Sequence, residues 1–349
     1  LEEAVRNPKA GAGDVADAHR ALGQNLIDLQ RFDEAERHLH AALARYGELD
    51  DSRGQCDVLG ALGALRLERG ETEAAKSVLE RAVAAAATIG YRRGEAAYRT
   101  NLAIVHTMQQ HIGAALEQFT RAREINEDLG SRRGLAMALN NEAWLRVAML
   151  GDAAGAGDLA ELALSLCRML GDQRGIAQSL ATIAAVEDSR CNPNAVATLR
   201  EGIRLAVAVQ DRWIAAQLQL QEAEMLTMRS AFADAAEAAV RAAKEAANAE
   251  LPDLQDAARI WQALIATRSG DPALGKTLLD RGKPSANWHL HLYWLAVAET
   301  ERMNSNWKDA DAAIRSAHSE MQRLLADVPE HLRAQALTDV PVFASIREH

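Results

Sequence analysis

Histidine and cysteine are among the residue types in this chain that could hold a metal ion or act as nucleophiles. Two pairs of histidines are each separated by two positions, His38/His40 and His289/His291. On a helix this spacing turns the second side chain about 200° away from the first, so neither pair can share a metal. The cysteines are odd in number and widely spaced, which fits neither a disulfide framework nor a zinc site: Cys56, Cys167 and Cys191. Because no nucleophile–base pair or Gly-rich phosphate loop accompanies them, the sequence predicts no catalysis, no metal site and no cofactor.

The overall composition narrows the class of protein further. The 349 residues carry a net charge of −10, and 48% of them are hydrophobic but only 4% aromatic. We therefore expect a core built mainly from Ala and Leu, and no basic surface for direct nucleic-acid binding. Charges interrupt every apolar run before the roughly 18 residues that a membrane span needs. The chain starts at Leu1 without a signal-peptide pattern, so we expect a piece of a longer cytoplasmic protein.

One motif recurs along the chain with a period near 40 residues. A short turn followed by Arg-Gly occurs four times, in steps of 40, 40 and 41 residues, and closes at Gly54, Gly94, Gly134 and Gly175. A second set of polar turns lies about midway between these joints. Each period therefore predicts two helices and two tight turns, and such pairs bury their apolar faces by stacking on one another.

Eight helix pairs follow from this periodicity. The first helices are predicted at 14–29, 53–69, 93–109, 133–150, 174–189, 213–229, 253–268 and 285–304. The second helices are predicted to start near 33, 72, 112, 156, 194, 232, 272 and 307. Small residues recur at equivalent points, among them Gly63, Ala103 and Ala143, and allow neighbouring helices to approach closely.

The predicted fold is all-α, a right-handed α-solenoid of about eight antiparallel helix pairs with a C-terminal capping helix. We expect one domain over residues 1–349, with regular repeats at 14–190, divergent repeats at 191–326 and the cap at 327–349. In the cap, a short helix is predicted from about 327 to 337, and Pro341 lies in the segment that breaks it. We expect this tail to cover the last pair; a free partner-binding motif is the alternative.

The joint and the triplet that follows it carry a family resemblance. Arg93-Gly94 leads to Asn101-Leu102-Ala103, and Arg133-Gly134 leads to Asn141-Glu142-Ala143. This pattern resembles the tetratricopeptide repeat family. It is most similar to the 40-residue variety in bacterial maltose-activator-like regulators and spindle-orientation adaptors. The resemblance implies that the first helix of each pair lines a concave groove, where the family binds extended peptides or partner helices.

The resemblance also implies a column of binding residues in that groove. One residue per repeat stands at the matching position, namely Asn101, Asn141, Thr182 and Gln221. Met137, Gln178 and Gln217 stand one turn earlier, and Trp144 stands one turn after Asn141. Asn and Gln carry both donors and acceptors and can pair with a peptide backbone. The alternative is that the asparagines brace neighbouring turns.

Two further features could contribute to binding. Arginines at the joints form a candidate basic rim for acidic peptide side chains, at Arg93, Arg133 and Arg174. The alternative for these arginines is a solvated edge that balances nearby acids. All six tryptophans lie at position 144 or later, including Trp288 and Trp294. They either pack the end of the solenoid or form a partner site.

The predicted function is a noncatalytic scaffold for protein–protein interaction that binds a peptide or protein segment in its groove. It would be the regulatory or sensor module of a bacterial signalling or transcription-regulatory protein. Two alternatives remain open at this point. One is a small-ligand-gated sensor arm that controls an attached effector domain. The other is a structural module that forms a homodimer through its Trp-rich half.

Overall fold

The computed structural model describes residues 11–284 and 289–349, which form 18 α-helices and no strand. The first nine helices are α1 (Ala12–Asp28), α2 (Phe32–Glu48), α3 (Ser52–Glu68), α4 (Thr72–Thr88), α5 (Arg92–Met108), α6 (Ile112–Asp128), α7 (Arg132–Leu150), α8 (Ala153–Leu170) and α9 (Gln173–Ser189). The remaining helices are α10 (Ala195–Ala208), α11 (Arg212–Met228), α12 (Phe232–Asn248), α13 (Pro252–Arg268), α14 (Pro272–Leu279), α15 (Leu290–Met303), α16 (Trp307–Leu324), α17 (Glu330–Asp339) and α18 (Pro341–Glu348). The predicted helix at 285–304 begins outside the described residues.

The chain divides into two compact units. The N-terminal unit comprises Leu1–Gln109 and Ala114–Ala138, and the C-terminal unit comprises Gln110–Gly113 and Leu139–His349. In the N-terminal unit, helices α1 to α5 pack in chain order, and the first helices α1, α3 and α5 also touch their neighbours. In the C-terminal unit, helices α8 to α16 pack in the same way, with α9, α11, α13 and α15 in successive contact. This stacking of helix pairs confirms the predicted all-α solenoid.

Aspartates at the joints start many of the helices. The side chain of each accepts a hydrogen bond from the backbone N–H three residues later, at Asp51, Asp152, Asp172, Asp211 and Asp271. At the preceding helix end, Gly171 adopts the left-handed conformation with φ 67°. Glycine takes that conformation without steric cost, so one helix stops and the next begins within a few residues.

Small residues set the distance between paired helices. A Cβ at Gly63 of α3 would lie 2.5 Å from the Cδ2 atom of Leu79 on α4. Leu79 is fully buried in a cluster that also contains Ala75 and Ala82. A larger side chain at position 63 would therefore force α3 and α4 apart. The buried residues at this contact are mainly Ala and Leu, as the composition predicts.

The C-terminal tail differs from the sequence prediction. The helix does break before Pro341, but a second helix, α18, starts at this residue, so the cap has two helices and not one. Proline is tolerated there because the first turn of a helix leaves its N–H unpaired. Helix α18 packs on α16. The Nε2 of Gln335 also donates a hydrogen bond to the Gly151 carbonyl oxygen at 3.1 Å, so the tail reaches well beyond the last pair.

Candidate functional site

A cavity of about 850 Å³ lies inside the C-terminal unit. Its walls come from the first helices of successive pairs, α7, α9, α11, α13 and α15, together with the tail helices α17 and α18. The volume falls within the range of small-molecule and cofactor pockets, which is about 300–1,000 Å³. The inner helices therefore do line a concave space, and the C-terminal tail covers part of it.

Three of the predicted binding residues line this cavity: Trp144, Gln217 and Gln221. Trp144 and Gln217 are half-buried. Gln221 is half-buried too, but its Nε2 donates a hydrogen bond to the Ala181 carbonyl oxygen at 2.9 Å. Gln221 therefore braces the adjacent helix α9, which leaves Trp144 and Gln217 as the side chains more available to an occupant.

The remaining members of the predicted column do not line the cavity. Thr182 was expected in the groove, but it is only 2% exposed, and its hydroxyl donates to the Gln178 carbonyl oxygen at 3.2 Å. A Thr hydroxyl readily bonds back to the preceding turn of its own helix, so this side chain is not available to a ligand. Gln178 and Asn141 are half-buried outside the cavity in the C-terminal unit. In the N-terminal unit, Asn101 is half-buried and Met137 is 51% exposed.

Asn140, the neighbour of the predicted Asn141, braces the packing of the helices. Its side chain is 4% exposed, and its Nδ2 donates to the Gly175 carbonyl oxygen at 3.3 Å. The Ser179 hydroxyl in turn donates to the Asn140 Oδ1 at 2.6 Å. The bracing role considered for the asparagines thus belongs to the adjacent position, because Asn140 and not Asn141 faces helix α9.

The arginines of the predicted rim lie outside the cavity. Arg93 and Arg133 are exposed in the N-terminal unit. In the C-terminal unit, Arg174 is exposed and pairs with Asp211, with 3.1 Å between Nε and Oδ2. The ion pair of Arg174 matches the alternative of a solvated edge, while the other two arginines remain candidates for acidic partners.

The tryptophans of the C-terminal half have different environments. Trp261 is buried and lines the cavity with Trp144. Trp213 and Trp307 are exposed on the surface. Trp294 is half-buried under the Lys283 ammonium group, which lies 4.7 Å from the ring centroid. Trp288 lies outside the described residues, so the structure supports packing for some tryptophans and leaves others on the surface.

Several residues that line the cavity were not predicted as binding residues from the sequence. Glu224 is the most important of them. It follows Gln221 by three residues on α11, which puts it one helical turn further along the same face. Burial raises the pKa of the Glu224 carboxyl to about 7, and the negative charge of Asp188 adds to this effect. Helical periodicity could have placed Glu224 on this face of α11, but its position at a cavity depends on helices distant in sequence.

Two histidines, His291 on α15 and His289 just before this helix, also line the cavity. Burial lowers the pKa of His291 to about 4. Burial, followed by the proximity of His291, lowers the pKa of His289 to about 3. The His291 ring packs edge-on against Phe343 of the tail at a centroid distance of 5.5 Å. At neutral pH both imidazoles are therefore uncharged, and among the described residues no group of three or more ligating side chains could hold a metal ion.

Comparison with known proteins identifies the repeat. Residues 14–88 match the family model of the tetratricopeptide repeat. This stretch of the chain therefore consists of tetratricopeptide repeats. No curated protein matches its sequence significantly. Within the described residues, no helix is both long and apolar enough to pass through a lipid bilayer.

Solved structures share this fold at low sequence identity. A Rap protein complexed with competence and sporulation factor is 14% identical, with a TM-score of 0.69, and the match covers 96% of this chain and 95% of that one. The apo quorum sensor NprR from B. thuringiensis is 12% identical, with a TM-score of 0.62 and coverage of 92% and 91%. The Rap conjugation gene regulator of plasmid pLS20, in complex with the Phr* peptide, is 12% identical, with a TM-score of 0.62 and coverage of 91% and 98%. At these identities the likeness concerns the fold.

The low pKa values of the two cavity histidines predict that this protein loses stability in acid. The pKa of His291 is about 4 in the folded protein, against an ordinary value of 6.5. Below pH 6.5 the unfolded chain binds the proton while the folded protein does not, so the free energy of unfolding falls as the pH falls. Because one pKa unit corresponds to about 1.4 kcal/mol, His291 alone should cost about 2 kcal/mol between pH 6.5 and 5.

Urea denaturation of the wild type and of His291→Leu across this pH range measures the effect. The exposed His331 provides the control, and His331→Leu should keep the pH dependence of the wild type. His289 acts in the same direction as His291, whereas Glu224 binds its proton more tightly in the folded protein and acts in the opposite direction. Identical pH profiles for the wild type and His291→Leu would show that the imidazole is not buried as described.

Proposed function

We propose that this chain is a noncatalytic binding module that takes a peptide or short protein segment against the inner helices of its C-terminal unit. The observation that carries the proposal is the cavity of about 850 Å³ lined by the first helices of successive repeats. Trp144 offers an amphipathic ring, and Gln217 offers both a donor and an acceptor without a hydrogen bond to another described residue. The Gln217 amide can pair with an extended peptide backbone, and the Trp144 ring can pack against a peptide side chain.

The similar structures support this class of function. One is a Rap protein complexed with competence and sporulation factor, another is a Rap regulator in complex with a peptide, and a third is described as a quorum sensor. By analogy, the finer proposal is a regulatory or sensor role in bacterial signalling. In this proposal, the exposed Arg93 and Arg133 remain secondary candidates for contacts with acidic side chains of a larger partner.

Peptides selected from a displayed random library on the wild-type chain test the proposal. Trp144→Ala should weaken their binding about 30-fold, because a tryptophan at the centre of an interface commonly carries about 2 kcal/mol or more. Gln217→Ala should weaken it less. Trp213→Ala is the matched control, since Trp213 is exposed outside the cavity. Isothermal titration calorimetry gives the affinities, and equal affinity for the wild type and Trp144→Ala would refute binding at this cavity.

The same peptides distinguish the cavity from the column predicted by sequence. The double variant Asn101→Ala/Asn141→Ala changes two residues that lie outside the cavity. We expect it to bind the selected peptides like the wild type. A loss of binding in this variant would place the peptide along the asparagine positions and not in the cavity.

A second candidate is the small-ligand sensor, which is favoured by the way the tail covers the cavity. Residues of α17 and α18 such as Gln335 and Phe343 form part of its wall, which limits the length of an occupant. Selected peptides that bind only when short, or small molecules that bind when no peptide does, would favour this candidate. Homodimerisation through the exposed Trp213 and Trp307 predicts instead a molecular mass that rises with concentration in sedimentation experiments.

A further inference from the structure

The Glu224 carboxyl differs from the other acidic groups at the cavity. It is half-buried on α11, its side chain lines the cavity, and it makes no hydrogen bond or ion pair with the described residues. Burying a carboxylate without a partner is costly, so proteins normally provide such a group with a cation or hydrogen-bond donors. By comparison, the buried Glu222 two residues earlier is paired with Arg200 and Arg241.

The charged groups on the surrounding elements do not supply that partner. On α9, Asp188 is held by Arg229, with Oδ1 at 3.0 Å from Nε, so this arginine is already engaged. Arg190, which follows α9, is exposed and forms no ion pair with Glu224. On the tail, Asp339 is a further acid.

The other walls of the cavity are uncharged. His289 and His291 are neutral at pH 7. Helices α7 and α13 contribute Trp144 and Trp261, and Met228 of α11 adds to this apolar surface. The cavity is therefore lined on one side by a carboxyl group that has no hydrogen-bond or ion-pair partner among the described residues. The rest of its wall is rich in aromatic and thioether groups.

We propose that the cavity binds a ligand that carries one positively charged nitrogen on an apolar body, with the cation beside the Glu224 carboxylate. This inference rests on the proposed binding function of the same cavity. The ion pair would give the carboxylate a partner. Trp144 and Trp261 line the same cavity, and aromatic rings are favourable neighbours for a cation and its apolar body. The cation is either that of a free amine or that of a basic residue or amino terminus of a peptide.

If a cation binds beside Glu224, we also expect the Glu224 carboxyl to release a proton. The pKa of Glu224 is about 7, so the carboxyl is about half protonated at neutral pH. A cation at hydrogen-bond distance favours the ionised form, and the proton leaves when the ligand binds. Calorimetric titrations in two buffers of different ionisation enthalpy measure this release, and Glu224→Gln should abolish it.

The test uses amines with matched neutral analogues. The probes are 2-phenylethylamine and hexylamine, with 2-phenylethanol and hexanol as the neutral counterparts. For the wild type we expect the amines to bind at least about tenfold more tightly than the alcohols, and Glu224→Gln to remove that preference. Glu201→Gln is the control, because Glu201 is exposed outside the cavity. In the peptide arm, the selected sequences should share a basic residue or a free amino terminus, and binding should fall at least about tenfold in Glu224→Gln.

The outcomes separate this inference from the proposed function. If the selected peptides depend on Trp144 but bind Glu224→Gln as tightly as the wild type, the proposed function stands and the cation site is refuted. Equal binding of amines and alcohols, or the absence of any cationic binder in both arms, also refutes the cation site. If only small amines bind and they depend on Glu224, the cation site stands and peptide binding fails. The melting temperature of Glu224→Gln should match or exceed that of the wild type, because the substitution removes an ionisable group from a half-buried position.

Discussion

Truncation of the Phe343 ring to alanine is expected to lower the free energy of unfolding by about 3–5 kcal/mol. Phe343 is 1% exposed, packs against the His291 ring, and forms part of the cavity wall from α18. Next to it Ile346 and Val342 are also buried. Removing the ring leaves space beside an existing cavity, so the surrounding helices have little means of closing the gap.

Urea denaturation followed by circular dichroism measures this loss. Trp307→Ala is the control, since Trp307 is 60% exposed, and we expect it to change the stability by less than about 0.5 kcal/mol. Deletion of residues 328–349 should be more damaging still, because it uncovers the inner helices as well as α16. An unchanged melting temperature after that deletion would contradict the capping role of the tail.

The second large effect is expected when both arginines around Glu222 are removed. Glu222 on α11 is 1% exposed; its Oε1 lies 2.5 Å from the Arg200 Nε, and its Oε2 lies 2.8 Å from an Arg241 guanidinium nitrogen. The arginines come from the flanking helices α10 and α12. The double variant Arg200→Ala/Arg241→Ala leaves a buried carboxylate without a counter-ion. We expect a loss of about 3–5 kcal/mol.

A double-mutant cycle checks the physical reason. Each single variant leaves one arginine in place and should cost less than half of the double variant, so the effects should not be additive. Adding Glu222→Leu to the double variant should restore part of the lost stability, because it removes the unpaired charge. Arg121→Ala is the control, as its ion pair with Glu124 is solvent-exposed and should contribute at most about 1 kcal/mol. If the stability losses of the two single variants add up to the loss of the double variant, Arg200 and Arg241 do not act together on Glu222.

The fold could be read from the sequence because its signals are local and repeated. The Arg-Gly joints that end at Gly54, Gly94, Gly134 and Gly175 predict helix boundaries that agree with those observed. Caps such as Asp51 and Asp172 act within a few residues of their own position. Local signals of this kind need no knowledge of which helices meet elsewhere in the chain.

The candidate site was predicted only in part. The register of the first helices placed Trp144, Gln217 and Gln221 on the side that lines the cavity, since one residue per turn faces the same side of a helix. It failed at Thr182, whose hydroxyl bonds to its own helix and whose side chain is buried. Whether a side chain at a given register is open or covered depends on the packing of its neighbours.

By itself, the sequence determined an all-α chain of helix pairs, the positions of their ends, and a face of the first helices on which binding residues could lie. Only the tertiary structure decided that the tail forms two helices, crosses to Gly151 and covers part of that face. It also decided that Glu224, unremarkable in the sequence, is a half-buried carboxyl that lines a cavity and has no hydrogen-bond or ion-pair partner among the described residues. Helix periodicity is encoded by residues a few positions apart, whereas burial and charge pairing arise between residues that only folding brings together.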